Sequence, residues 1–240
     1  MIPDVVRLLR EPDSKHVLPG SRILHTMETT LLAPTAEGIE TAADCIREGG
    51  VIVAPSDTNL ALTLDPWDEA AIERAFRIKN REPVAPLTLF VRDPDDWTEW
   101  GTTDRADAVD ALTDAFWPGP LNIIVETTPA VPDRVVAGGE TVALGCLSNP
   151  TWRKLSAAVD QPLCMTSANL TGQADDQLVD LDLATRQVGD RVDYVLDAEP
   201  ERTTQSSTIV DLAGAEPTIL RHGDITAADL NAVVDTVGGF

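Results

Sequence analysis

The chain predicts an α/β fold: a twisted, mixed sheet flanked by helices. Three observations carry that expectation. Residues 37–48, 68–78 and 104–116 each place apolar side chains at helical spacing. Residues 51–54, 87–91 and 121–125 are short apolar runs bounded by turn formers, as buried strands are. The last strands, at 192–196, 207–212 and 218–220, follow one another without helices, so the sheet is not purely parallel.

Taken in order, residues 1–35 read as a loosely ordered N-terminal extension, broken by Pro3, Pro12, Pro19, Gly20 and Pro34, with Met27 as a second candidate start. Residues 36–240 read as one domain. Ile39, Ala42, Ala43 and Ile46 space its first helix, which Gly49-Gly50 stops. The strand at 51–54 enters a polar turn, Pro55-Ser56-Asp57-Thr58, and a helix follows at 68–78 on Ala71, Ile72, Ala75 and Phe76. That helix ends in Lys79-Asn80-Arg81-Glu82-Pro83 before the strand at 87–91. The helix at 104–116 stops at Trp117-Pro118-Gly119-Pro120, and strands follow at 121–125 and 141–147. Thr151 is expected to cap a helix over 151–159. The strand at 163–166 delivers Ser167, Ala168 and Asn169, and a helix is expected over 177–188. Thr226-x-x-Asp229 opens a closing helix over 226–237 with a sequence close to a capping box.

The composition narrows the function. Forty acidic residues stand against 18 basic ones, a net charge of −22, and only Lys15, Lys79 and Lys154 are lysines. With 43% hydrophobic residues the chain can still bury one sizeable core. Such a composition suits molar salt, where a Debye length of roughly 3 Å screens self-repulsion. General nucleic-acid binding through phosphate neutralisation is disfavoured, because it weakens steeply with salt and needs cations. Cys45, Cys146 and Cys164 form no paired motif, so neither a disulfide framework nor a structural metal is expected. His16, His25 and His222 do not cluster, and no Walker-type or GxGxxG loop is present. A soluble, cytoplasmic protein with no membrane association is expected, since the first residues carry Asp4, Arg7, Arg10, Glu11 and Asp13 instead of a signal peptide.

Several clusters are candidates for chemistry. Lys79 and Arg81 at a helix end could merely offset its dipole, which is worth ~0.3–1 kcal/mol. Their rarity in so acidic a chain points instead to an anionic ligand such as a nucleotide phosphate. Thr166-Ser167-Ala168-Asn169 with Thr171-Gly172 offers hydroxyls, an amide and backbone N–H groups at a strand end, suited to phosphate or a base edge, or to a plain turn. Ser206-Ser207-Thr208 has the same two readings, and Arg221-His222-Gly223 places a guanidinium after a strand. Asp57 differs from the other acids because it lies in a turn between apolar elements.

In this order the pieces resemble the YrdC-like family, which includes the threonylcarbamoyl-adenylate synthases. The family's Pro-Thr-Asp-Thr turn is similar to Pro55-Ser56-Asp57-Thr58, its Lys-x-Arg-Pro signature to Lys79-x-Arg81 with Pro83 one place later, and its Pro-Leu strand start to Pro86-Leu87. Pro118-Gly119-Pro120, Thr166–Asn169, Ser207-Thr208 and Arg221-x-Gly223 complete the series. The resemblance implies a concave, locally positive ligand cavity that takes ATP with Mg2+, L-threonine and bicarbonate, and gives threonylcarbamoyl-adenylate and pyrophosphate. It implies tRNA as the eventual acceptor, with partner proteins of tRNA modification. By motif, Lys79, Arg81, Ser167, Asn169, Ser207 and Arg221 would bind the nucleotide, Lys79 and Arg81 would serve catalysis, and Thr58 would place the substrate. Two departures stand out. Leu60-Ala61-Leu62 replaces the family's Tyr-Gly-Leu, and Leu144-Gly145-Cys146 lacks the arginine of that strand. Losing a buried cation that faces an anion costs on the order of 2–5 kcal/mol. The alternative is therefore a divergent non-synthase relative that holds nucleotide or double-stranded RNA in the same cavity.

Overall fold

The computed structural model describes residues 5–7, 29–82, 85–173, 177–200 and 203–234, for residues 5–7 the backbone alone. In chain order the elements are β1 (Val5–Arg7), β2 (Thr30–Leu32), α1 (Ala36–Arg47), β3 (Ile52–Pro55), β4 (Leu60–Leu64), α2 (Glu69–Lys79), β5 (Thr88–Phe90), α3 (Trp97–Trp100), β6 (Gly101–Thr102) and α4 (Ala106–Phe116). Then come β7 (Leu121–Thr127), β8 (Thr141–Gly145), α5 (Pro150–Val159), β9 (Leu163–Ser167), α6 (Leu181–Val188), β10 (Tyr194–Leu196), β11 (Thr208–Asp211), β12 (Thr218–Arg221) and α7 (Ala227–Val233).

The strands form one mixed sheet in the order β1-β2-β10-β3-β4-β9-β5-β8-β7-β11-β12, with β6 beside β7. β10 runs parallel to β2 and β3, β5 parallel to β8, and β7 parallel to β11. Antiparallel pairs fill the rest. The late strands thus join two different places in the sheet, β10 between β2 and β3 and the antiparallel pair β11–β12 beside β7.

The strand pleat sends alternate side chains to opposite faces. One face supplies Val53, Leu62, Leu89, Ile123 and Leu144 to a large core closed by α2, α4, α6 and α7. The other supplies Ile52, Ala54 and Leu163 to a smaller core under α1 and α5. Those two helices cover only the β2-to-β9 side of that face. Trp152 of α5 ends the cover, packed edge-on to Phe90 with ring centroids 6.2 Å apart. Beyond it Ala143, Ile124 and Ile209 are only half-buried, so the sheet floor lies open there.

Several local expectations change. The stretch between the polar turn and α2 is a strand, β4, antiparallel to β3, so the turn is a hairpin tip. Asn149 caps α5, not Thr151: its side chain accepts from Thr151 N and Trp152 N, and Pro150 sits at the first helical position. α6 starts at Leu181 on its Asp180 cap, because Val179 is held extended by Asn59 Oδ1 at 2.7 Å and by the N–H of Leu60 at 2.8 Å. The capping box at Thr226 and Asp229 is present, and the last residues of the expected closing helix lie outside the described residues. β2 falls within the 1–35 segment and lies inside the sheet, between β1 and β10. Most of that segment, and Pro83, lie outside the described residues. Among the described residues no helix is long and apolar enough to cross a membrane.

Candidate functional site

The open part of the sheet floor forms a cavity of about 330 Å³, within the range of small-ligand sites. Its rim is built from the β3–β4 hairpin tip, the chain after α2, the end of β9, and the entry of β11 beside the end of β12.

The hairpin tip is tied by its own polar groups. Ser56 Oγ donates to Asn59 O at 2.8 Å and accepts from Asn59 N at 3.0 Å and Thr58 N at 3.2 Å. Asn59 Nδ2 donates to Thr58 Oγ1 at 3.0 Å and to Ser206 Oγ at 3.2 Å, joining the tip to the β11 entry. Buried Asp57 turns away from the cavity. Its carboxylate accepts from Ser148 N at 2.9 and 3.1 Å and from Asn149 N at 2.8 Å, so it anchors the chain that starts α5.

Asn80, in the left-handed region at φ 51°, ends α2. The residues on either side of it diverge. Lys79 is 3% exposed, and its Nζ donates to both carbonyls of the β9 end: to Ser167 O, and to Asn169 O at 3.0 Å. It also reaches Asn169 Oδ1 at 3.2 Å and Ser167 Oγ at 3.3 Å. Lys79 therefore stands behind the cavity wall and shapes it. Arg81 lines the cavity, with its guanidinium carbon 5.9 Å from the Phe76 ring centroid.

Across the cavity Arg221 is held by one bond, Nε to Ser207 O at 2.7 Å. Burial pushes both arginines below their ordinary value, and guanidinium groups of this kind stay charged at neutral pH. Neither has a carboxylate partner among the described residues. By contrast Arg47, Arg74, Arg92, Arg134, Arg153 and Arg186 all pair with acids, and Arg105 is occupied by the carbonyls of Leu212, Gly214 and Ala215. Two partly desolvated cations facing one cavity, in a chain of net charge −22, are surroundings that suit an anion.

The expected residues Thr58, Arg81, Ser167, Asn169, Ser207 and Arg221 all line this cavity, while Lys79 sits one layer behind. Ser56, Asn59, Phe90, Asn122, Met165 and Ser206 line it as well. Asn122 left a trace in the sequence, as the one polar residue in the apolar run 121–125. Among the described residues the cavity lining holds no Asp, Glu, His or Cys, and no group of three such residues suited to a metal occurs.

Both departures become concrete at this floor. Leu60, in the tyrosine's place, is buried in the large core and does not line the cavity, while Ala61 stands in the glycine's place and pairs with Ser167. At Gly145 a Cβ would stand 2.6 Å from Phe90 Cε1 and 2.8 Å from Asn122 Oδ1. Phe90 and Asn122 occupy the room a larger side chain would need.

The family model described as "Telomere recombination" matches residues 44–223, a span that holds this cavity from hairpin tip to Gly223. The chain belongs to the Sua5/YciO/YrdC family. Among its relatives, a protein of Mycobacterium tuberculosis is 31% identical over 204 residues, covering 83% of this chain and 90% of its own. The threonylcarbamoyl-AMP synthase of Pyrococcus abyssi is 27% identical over 200 residues, 83% of this chain, which spans only 58% of that relative. Among solved structures, P. abyssi Sua5 complexed with L-threonine superposes with a TM-score of 0.80 at 24% identity, over 87% of this chain and 62% of its own, and shares the fold. E. coli YciO superposes with a TM-score of 0.71 at 25% identity, over 81% of this chain and 96% of its own.

Proposed function

We propose that this Sua5/YciO/YrdC protein is a threonylcarbamoyl-AMP synthase. It would condense ATP, L-threonine and bicarbonate to threonylcarbamoyl-adenylate, releasing pyrophosphate, for transfer by partner proteins to adenosine in tRNA. The domain that carries the activity comprises residues 36–240 together with β2, which the sheet includes. The observation that supports this most is the pair Arg81 and Arg221, without a carboxylate partner among the described residues and facing one cavity edged by Ser167, Asn169 and Ser207. In this reading those five residues hold the nucleotide and its phosphates. Arg81 opposes charge developing at the phosphoryl group, and Lys79 serves catalysis by holding Ser167 and Asn169 in place. Thr58 faces the amino-acid end. Magnesium enters as the counter-ion of ATP, as part of the substrate.

The closed space at Gly145 and the core leucine at position 60 in place of the aromatic favour a second reading, a nucleotide binder without synthase activity. Duplex RNA would need a broader basic surface than two arginines in this acidic chain provide. The deciding experiment is pyrophosphate release from MgATP in molar KCl. Release that requires both L-threonine and bicarbonate establishes the synthase. No release, with ATP binding still detected by calorimetry, establishes the second reading.

A further inference from the structure

The strand registers align Arg221, Ile209, Asn122, Gly145 and Phe90 in one row across the cavity floor. Arg221 and Asn122 are two strand spacings apart, roughly 10 Å. Asn122 is 5% exposed, lines the cavity, and its side chain has no hydrogen-bond partner among the described residues. Its Oδ1 is sealed, lying where a side chain at Gly145 would have to be. The edge left for the cavity is Nδ2, a donor.

Nδ2 has no acceptor among the described residues, so it is open to an acceptor on a ligand in the cavity. We propose that Asn122 is a specificity-determining residue whose Nδ2 donates to the carboxylate of the amino-acid substrate, at the end of the cavity away from Arg221. This rests on the synthase reading. The phosphates carry several charges and match the two arginines. A single neutral donor among Phe90, Met165 and Ile209 matches one carboxylate oxygen in apolar surroundings. Because the donor is uncharged, amino-acid affinity would change far less with salt than an ion pair would allow.

The test titrates wild type, Asn122→Leu and Asn122→Asp, each saturated with a non-hydrolysable ATP analogue, with L-threonine and with L-threoninamide. Wild type should prefer L-threonine. Asn122→Leu should lose about 10- to 100-fold in L-threonine affinity, with affinity for the ATP analogue unchanged as the check on folding. Asn122→Asp, an acceptor in place of a donor, should prefer the amide. Unchanged L-threonine affinity in Asn122→Leu, or a retained preference for the carboxylate in Asn122→Asp, overturns the proposal. If pyrophosphate release in the wild type still requires L-threonine, only the assignment of Asn122 falls. If the wild type binds neither probe while binding ATP, the synthase reading falls with it.

Discussion

Lys79 and Arg81 stand two residues apart in a signature that reads as a pair, yet the fold gives them different surroundings, and substitution should separate them. Lys79 Nζ has three N–H groups and four oxygen neighbours at Ser167 and Asn169. Each hydrogen bond from a charged donor is worth about 1.5–3 kcal/mol. The sum is offset by the cost of burying the ammonium, which Lys79→Met no longer incurs. Two buried carbonyls are left with fewer partners, so a net loss of about 2–4 kcal/mol is expected, a large share of a typical 5–15 kcal/mol stability. Arg81→Met removes a half-buried group with no ion pair among the described residues, so stability should move by no more than about 0.5 kcal/mol. Urea denaturation at constant molar KCl measures both, and calorimetry with ATP measures the ligand side. Arg81→Met should lose about 10- to 100-fold in ATP affinity at unchanged urea midpoint. Lys79→Met should lose stability first and affinity through the displaced Ser167 and Asn169. A Lys79→Met protein as stable as wild type, with the same affinity loss as Arg81→Met, would refute the reasoning and place Lys79 against the ligand.

Other tests follow the same geometry. Asp57→Ala strips acceptors from the buried N–H groups of Ser148 and Asn149, so about 2–5 kcal/mol should be lost in a denaturant titration. Gly145→Ala should destabilise by about 1–3 kcal/mol through collision with Phe90, and Phe90→Leu should restore much of it, a coupling that a double-mutant cycle reads directly. Burial pushes the thiols of Cys45 and Cys146 up to about 12, and that of Cys164 higher still, so iodoacetamide at pH 8 should label the native protein slowly and the denatured protein at all three. Between the unfolded thiol pKa and these raised values the native state binds more protons than the unfolded one. The denaturation midpoint should therefore fall as pH rises above about 9, and less so in Cys146→Ala.

Much of the architecture was legible because it depends on local periodicity. Ile39, Ala42, Ala43 and Ile46, or Leu121, Ile123 and Val125, mark a buried face wherever the element ends up. β4 was missed because Leu60–Leu64 is buried on both faces and shows no alternation. The start of α6 was misplaced because a tertiary bond from Asn59 holds Val179 extended.

By itself the sequence determined the α/β class, the order of the elements, and which residue types cluster at strand and helix ends. Those follow from side-chain spacing and turn chemistry within a few residues. Only the tertiary structure decided that Arg81 and Arg221 face one cavity, that Lys79 braces its wall, that Asp57 anchors α5, and that Phe90 and Asn122 close the space over Gly145. Each of these rests on contact between segments tens to more than a hundred residues apart. Burial, charge pairing and unsatisfied donors are properties of such neighbours, which a linear pattern does not contain.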